Sequence, residues 1–400
     1  MLKIILTLPD GSEISSGANS DIAVLSAKLT QCVNDAQELS LGAACANMLE
    51  VDLQAPEGGL QVAAGDELTV YKEDDSGQRY VVGIFITEKP TRASTNTLRL
   101  TAYDRVTKLD KNLTDWLTGL DGWPYSLLTF AGMVCAACGL TLTNSSIPNG
   151  DYPVQAFSAN GITGRKLMQW AGQIAGRFCR ATTDGNIEFA WYTPSGVTIT
   201  PDGDRFYYQS GLSYEDYQVA PIEKVQLRLT EDDVGAIWPD ESGEKNTYII
   251  SGNYLLTTDN TDTLIPLAQT LYEQLKSVTY TPCKVKIPAC MDIQAGNTVS
   301  ITDKNGKTFT TYVMTKTQSG GLDTLECTGS RRRNSSTAVH NESYQALSGR
   351  VLEISKKVEG LSVTAKKIEK LEIGGRNLIR NSRNLIFKDY HFETETDGST

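Results

Sequence analysis

Cys135 and Cys138 form the one Cys-x-x-Cys pair in the chain, the spacing at which thiol chemistry is sought first. A redox pair needs a helix N-terminus, where the helix dipole lowers the thiolate pKa. Residues 125–138 instead read as an apolar helix that carries both thiols near its end, where burial raises that pKa. A zinc site needs two further ligands, and no second Cys-x-x-Cys exists. The pair is therefore read as core cysteines. Carboxylates gather at Asp202/Asp204, Asp232/Asp233, Asp240/Glu241 and Asp259/Asp262, but no Asp-x-Asp-x-Asp-Gly loop accompanies them, so they read as solvated loops. Gly306-Lys307-Thr308 echoes the end of a phosphate loop, yet Ile301 stands where its first glycine belongs, which leaves a hairpin turn. The only histidines are His340 and His391, which excludes histidine-based metal or general-base chemistry from the first 339 residues. Neither a Gly-x-Ser-x-Gly elbow nor a His-Glu-x-x-His pair occurs. No catalytic, cofactor-binding or metal-binding residue is assigned, and the chain is expected not to be an enzyme.

Composition narrows the partners. The 400 residues carry 37 Lys and Arg against 48 Asp and Glu, a net charge of -11. Such a chain is a poor holder of nucleic acid, whose phosphates require cationic surface. The N-terminal apolar stretch is five residues long and stops at Pro9, Asp10 and Gly11, too short for a signal peptide. Residues 122–150 are uncharged but hold Pro124, Gly132, Gly139 and Pro148, and read as a buried helix rather than a membrane span. Synthesis and folding in a cytoplasm are expected, with the eight cysteines reduced. Arg331-Arg332-Arg333 lies in the polar segment 329–337, read as a linker whose arginines touch a carboxylate surface.

The elements that would position these residues are mainly β. Asp-Gly or Asn-Gly occurs eight times. Asp184-Gly185 and Asn305-Gly306 separate β-rich runs and predict hairpins, and Asp10-Gly11 follows an opening strand over residues 3–8. Four helices are expected. One spans 125–138. A second starts at Thr163 as N-cap and runs to about Phe178, with Leu167, Trp170, Ile174 and Phe178 as its apolar stripe. A third is capped by Asp262 or Thr263 and aligns Leu264, Leu267, Leu271 and Leu275. The fourth begins near His340. In it Tyr344, Leu347, Val351, Ile354, Val358, Leu361, Ala365 and Ile368 alternate spacings of three and four, the seam of a short coiled coil. Gly360 and Ser362-Val363-Thr364 weaken it, and a single amphipathic helix packed on the body is the alternative. Residues 374–400, opening on Gly374-Gly375, read as the start of a truncated further module.

Two stretches resemble each other: residues 65–89 with 95–104, and residues 296–317 with 322–330. Each runs glycine, short strand, polar turn, long strand, gap, then a strand around T-L-x-x-T. Two copies of one small antiparallel β-domain are expected, with Gly65 over Gly296 and Leu98 over Leu325.

The segment VVGIFITEKPTRASTNTLRLTAYDRVTKLDKN, residues 81–112, resembles the first-domain signature of baseplate-hub and tail-tip proteins of tailed bacteriophages or prophages. Gly83, Phe85, Ile86, Ala102, Tyr103, Asp104 and Arg105 carry the match. Residues 39–53 resemble that family's strand-Gly-strand opening, residues 164–189 its helix-then-hairpin insertion, and GGRNLI after a heptad segment its junction to carbohydrate- or receptor-binding modules.

The resemblance implies a structural protein of mainly β (α+β) class. It would contain two similar small antiparallel β-barrel domains with α/β insertions, then a C-terminal helix or coiled coil. The implied layout is a first barrel at 1–110, a helix-plus-hairpin insertion at 111–200 and a second barrel at 201–335 with a helix at 262–278. A linker and coiled coil at 336–373 and a truncated module at 374–400 follow. It further implies a homotrimer in the virion tail tip or baseplate, whose ring continues the tail tube. Implied neighbours are the tube-side distal tail protein, the tape-measure protein and distal fibre or receptor-binding parts, with the host cell surface met indirectly. DNA would pass through the lumen without specific binding. No cofactor is implied. The alternatives are a tail-associated cell-wall hydrolase whose catalytic domain lies past residue 400, and a carbohydrate-binding adhesin.

Overall fold

The Asp-Gly and Asn-Gly dipeptides build hairpins because glycine enters the left-handed region without steric cost. Gly11, Gly185 and Gly306 sit at φ 84°, 74° and 81°. The computed structural model describes residues 3–333 apart from 17–20, 35, 229–234, 241–244 and 259. The expected coiled-coil seam, both histidines and the C-terminal module lie outside the described residues.

The first β-module comprises β1 (Lys3–Thr7), β2 (Glu13–Ser15), β3 (Ala23–Cys32), β4 (Met48–Gln54), β5 (Glu67–Glu73), β6 (Arg79–Thr87), β7 (Thr91–Ser94) and β8 (Thr97–Asp104). Inward residues alternate along these strands, as period-2 patterning dictates. They close a core that includes Leu6, Leu49, Leu53, Leu68, Val70, Phe85 and Leu100. A middle segment follows with α1 (Thr114–Thr118), β9 (Tyr125–Ser126), α2 (Leu127–Ala137), β10 (Pro153–Val154), α3 (Gly164–Ala175), β11 (Phe178–Ala181) and β12 (Ile187–Ala190). The chain then gives β13 (Thr193–Ile199) and β14 (Leu212–Tyr214). A small sheet of β15 (Lys224–Leu227), β16 (Ala236–Trp238) and β17 (Thr247–Ile250) packs beside α4 (Ile265–Leu275). The second β-module completes with β18 (Cys283–Pro288), β19 (Asn297–Thr302), β20 (Thr308–Tyr312), β21 (Thr315–Ser319) and β22 (Leu322–Cys327).

The expected helices stand close to where the sequence places them. Ser126 caps α2, its hydroxyl accepting from the Thr129 amide. Thr163 caps α3 through the Lys166 amide. That helix ends earlier than the apolar stripe suggests: Gly176 turns left-handed at φ 65°, and Phe178 starts β11 instead. Before α4, Asn260 rather than Asp262 or Thr263 supplies the cap, accepting from the Asp262 amide of a 3-10 turn over Thr261–Leu264. Leu264, Leu267, Leu271 and Leu275 are all buried.

One twelve-stranded sheet runs through both modules in the order β14-β18-β22-β21-β3-β4-β8-β6-β5-β1-β2, with β7 on β8. The mainly-β expectation is met. A closed barrel is not seen among the described residues. The first module curls until Ser16 makes a single bridge to Val24. In the second, the ladder of β20 ends at Tyr312, so β13-β19-β20 stands as a separate sheet facing the large one. Ile199, Val285, Ile287, Val299, Ile301, Phe309 and Leu325 fill the space between them.

The two resembling stretches share their hydrogen bonds. Gly65 and Gly296 both sit at φ 92°. The Gly65 amide donates to the Thr87 carbonyl and the Gly296 amide to the Val313 carbonyl, each at 2.8 Å. Asp66 accepts from the Ala63 amide at 2.8 Å, and Asn297 from the Gln294 amide at 2.7 Å. In the next turns, Asp74 accepts from the amides of Ser76 and Gln78, and Asp303 from those of Asn305 and Lys307. Counted from the two-residue loops after Ser94 and Ser319, however, Leu325 matches Leu100, not Leu98, and Asp323 stands in the place of Leu98. A shift of two keeps every side chain on its face, so alternation alone does not reveal it.

Gly65→Ala should cost about 1–2 kcal/mol from the left-handed backbone alone, since nothing lies within 4 Å of the new methyl group. Gly296→Ala should cost more, because its Cβ would meet Phe178 Cζ at 3.1 Å and Arg180 Nη1 at 3.2 Å. Urea unfolding of both variants checks the order.

Candidate functional site

The residues singled out for chemistry are dispersed. Cys135 is fully buried on α2, its Sγ 3.9 Å from Met168 Sδ on α3, and burial pushes its thiol up to about 12. Cys138 follows as the C-cap, and burial raises its pKa too. Gly164 lies so close that an added Cβ would stand 2.6 Å from Cys138 Sγ; the thiol fills the space where α3 begins. All eight cysteines are free. Gly306 and Lys307 lie in the turn between β19 and β20, and Thr308 opens β20. Asp202, Asp204, Asp240 and Asp262 are exposed; Asp232, Asp233, Glu241 and Asp259 lie outside the described residues. Among the described residues, no three His, Cys, Asp or Glu side chains gather as a metal set. No described helix is long and apolar enough to cross a membrane. The arginine run does contact carboxylates: Arg332 pairs with Glu223 at 3.0 Å and Arg333 with Glu38 at 3.4 Å, its guanidinium 4.3 Å from the Tyr248 ring centroid.

The residues that carry the family resemblance form a joint. Phe85 is fully buried in the first core, and Gly83 faces Val70 where the β5–β6 register shifts. Asp104 ends β8, is 3% exposed, and accepts from the Val106 and Asn47 amides at 3.0 Å each. Its carboxyl is pushed up to about 6 by burial, which the two amides oppose. Arg105 and Lys108 clasp Glu67 at 2.5 and 2.7 Å. Arg165 of α3 makes a two-pronged pair with Asp110 at 2.6 and 2.8 Å and donates to the Ala44 carbonyl. The β11–β12 turn rests on Arg105 at Gly185, where an added Cβ would stand 2.6 Å from Arg105 Cδ. The motif thus fastens the first module to the middle segment.

The joint between the β-modules is the β3–β21 ladder, from Thr315 opposite Cys32 to Ser319 opposite Lys28. Behind β21, Lys316 and Asp323 form an ion pair at 2.8 Å with side-chain exposures of 3% and 0%. The other Lys316 protons reach the Cys290 and Ile293 carbonyls at 2.9 and 2.7 Å, so the ammonium is fully satisfied. Asp323 Oδ2 also accepts the Cys290 amide, while Oδ1 is buried without a partner. Lys72, buried at the end of the β5 core row, feels both charges, and its ammonium makes no hydrogen bond or ion pair among the described residues. Desolvation holds its pKa down to about 8, with the Lys316 charge adding to the effect. Sequence reading missed this cluster. Thr-Lys-Thr-Gln-Ser gives no sign that β21 has strands on both sides, though a lysine and an aspartate flanking one tight turn is the available clue.

Among the described strands of the large sheet, β7 and β14 each pair on one side only. All four residues of β7 are exposed, and β7 pairs only with β8. β14 pairs only with β18. Beside β14, Phe206 and Tyr208 stack edge-to-face at 5.8 Å while 39% and 43% exposed.

No family model matches the chain, and no curated protein matches its sequence. Solved structures do resemble it. A 43 kDa tail protein of prophage MuSo2 from Shewanella oneidensis covers 81% of this chain and 96% of its own, at 15% identity and TM-score 0.51. The tail protein from Neisseria meningitidis MC58 covers 81% and 95%, at 12% identity and TM-score 0.52. The chain has the fold of prophage tail proteins. The prophage tail protein gp18 from Listeria monocytogenes EGD-e aligns over 88% and 98%, at 10% identity and TM-score 0.46.

Lys72→Met should stabilise the protein at pH 7 by about 2–3 kcal/mol, since a desolvated cation is replaced by an apolar chain of similar length. The folded pKa lies below the ordinary 10.5, so the penalty is full below about pH 8 and fades as pH rises toward 10.5. Urea unfolding at pH 7, 8, 9 and 10 should show the advantage of the variant shrinking with pH.

Proposed function

We propose that the chain is a structural, non-enzymatic hub of a phage or prophage tail tip or baseplate. The observation that carries this reading is the fold itself. Two β-modules with matching turns and one shared sheet align with prophage tail proteins over 81% of the chain. Each module serves as a barrel-like unit. Three chains set six such units around one axis, in a ring that continues the tail tube. A threefold object then meets a sixfold tube, because each tube subunit finds a unit of similar shape.

The ring sits in the virion tail after synthesis in the host cytoplasm. It joins the tube-side distal tail protein and the tape-measure protein to distal fibre or receptor-binding parts. DNA passes without being gripped, and the net charge of -11 suits that task, since acidic walls repel phosphates. The lumen carries more Asp, Glu, Ser and Thr than Lys and Arg. Residues 336–373 add a coiled-coil contact that strengthens association.

The native mass of the purified chain in solution should equal three chains, and deletion from Ser335 onward should weaken association while leaving the unfolding of the body unchanged. A protein that stays monomeric at high concentration would remove the ring reading. An unchanged association constant after the deletion would remove the coiled-coil role alone.

A further inference from the structure

The strands joined inside the chain and the strands left open are counterparts. Val51 lies opposite Leu100 between β4 and β8, and Val285 opposite Leu325 between β18 and β22. β3 flanks β4 on its far side, as β14 flanks β18. β7 makes a two-residue-loop hairpin with β8, as β21 does with β22. The internal joint therefore uses the hairpin edge of the second module, β21, against the flanking edge of the first, β3. What remains open is the hairpin edge of the first module, β7, and the flanking edge of the second, β14.

We infer that β7 of one chain pairs antiparallel with β14 of a neighbouring copy, repeating between chains the ladder that β21 and β3 make within one. This rests on the ring reading above and names the contact that closes it. The occupant is a second copy because the internal joint already shows that these two edge types fit one another. The contact is head-to-tail, the type whose repetition gives a ring when the rotation between copies closes.

The internal register transfers residue by residue. Ala27 opposite Val51 corresponds to Leu212 opposite Val285, so Leu29 corresponds to Tyr214 and Thr30 to Glu215. Gln318 and Arg92 each sit opposite the second residue after their loop, so they correspond, and Thr317 corresponds to Thr91. Since Gln318 faces Leu29 and Thr317 faces Thr30, Arg92 should face Tyr214 and Thr91 should face Glu215 of the next copy.

The backbone agrees. The Gly211 carbonyl accepts from Lys286 and the Glu215 amide donates to Pro282. Strand alternation then turns the Leu212 and Tyr214 backbone groups toward the open side. In the internal joint the Val33 amide donates to the Met314 carbonyl, which by the same alternation makes Leu29 and Gln318 a hydrogen-bonded pair. Arg92 and Tyr214 inherit that geometry. The β14 edge is acidic at Glu215 and Asp216, and the β7 edge carries Lys89 beside Glu88, with the Arg92 guanidinium held on the Ala55 and Pro56 carbonyls. The exposed Phe206 and Tyr208 beside β14 supply apolar surface for the contact. Pro90 and the shift between Arg92 and Ser94 keep the ladder short, which limits pairing with wrong partners.

Disulfide trapping of the full-length chain tests the register. Thr91→Cys and Glu215→Cys would face each other as a non-hydrogen-bonded pair, within the 4.4–6.8 Å Cα separation that a disulfide spans. Under mild oxidation the double variant should form a ladder of linked chains that stops at the number of chains in the native particle. Mixing the two single variants should give linked dimers and nothing larger. A native-size particle whose double variant forms no links would overturn the edge pairing and leave the ring reading standing. A chain that shows no assembly at all would remove both.

Discussion

The β3–β21 ladder is the constraint on which the rest of the molecule depends. Without it the chain would be two small β-modules linked by a helical segment, each with its own core and free to turn against the other. Main-chain hydrogen bonds fix the pleat and the spacing between modules, which side-chain contacts alone would leave adjustable. The buried Lys316–Asp323 pair strengthens this point in a particular way. An ion pair inside a protein adds little net stability, but breaking it exposes an uncompensated buried charge. Lys316 lies on the joint strand itself and also ties down the carbonyls of Cys290 and Ile293. Slippage of β21 along β3 would strand that charge, so register and charge satisfaction are coupled.

The middle segment is fastened by a different device. Asp104, Arg105 and Asp110 follow the last strand of the first module and tie to Asn47, Glu67 and Arg165. The Arg105–Glu67 and Arg165–Asp110 pairs are partly exposed, so each is worth little alone, whereas Asp104 is buried on the amides it accepts from. Their value lies in position: they sit where the chain leaves one module for the next. Charged groups at that corner set an orientation that a purely apolar contact would tolerate loosely.

Much of this was legible in the residues. Asn305-Gly306 gave its hairpin because glycine alone tolerates the left-handed turn, and Thr163 gave its helix start because its hydroxyl meets a free amide. The repeat was readable from Gly65 and Gly296, whose identical backbone angle is a local property. Residues 81–112 pointed to the tail-protein fold. What stayed hidden was non-local. Nothing in Thr-Lys-Thr-Gln-Ser says that its open side meets a strand nearly three hundred residues earlier. The two-residue offset between Leu98 and Leu100 was invisible because either choice keeps an apolar residue inward. The end of α3 was misplaced because Phe178 continues the apolar stripe, although Gly176 had already stopped the helix.

Hydrogen exchange of the amides in β3 and β21, followed by mass spectrometry of their peptides, tests the central claim most directly. If the ladder makes one body of the two modules, these amides exchange only through global opening, at the same slow rate as the peptides of β4 and β18. Exchange of β3 and β21 well ahead of both cores would show two modules that merely touch, and would contradict the account.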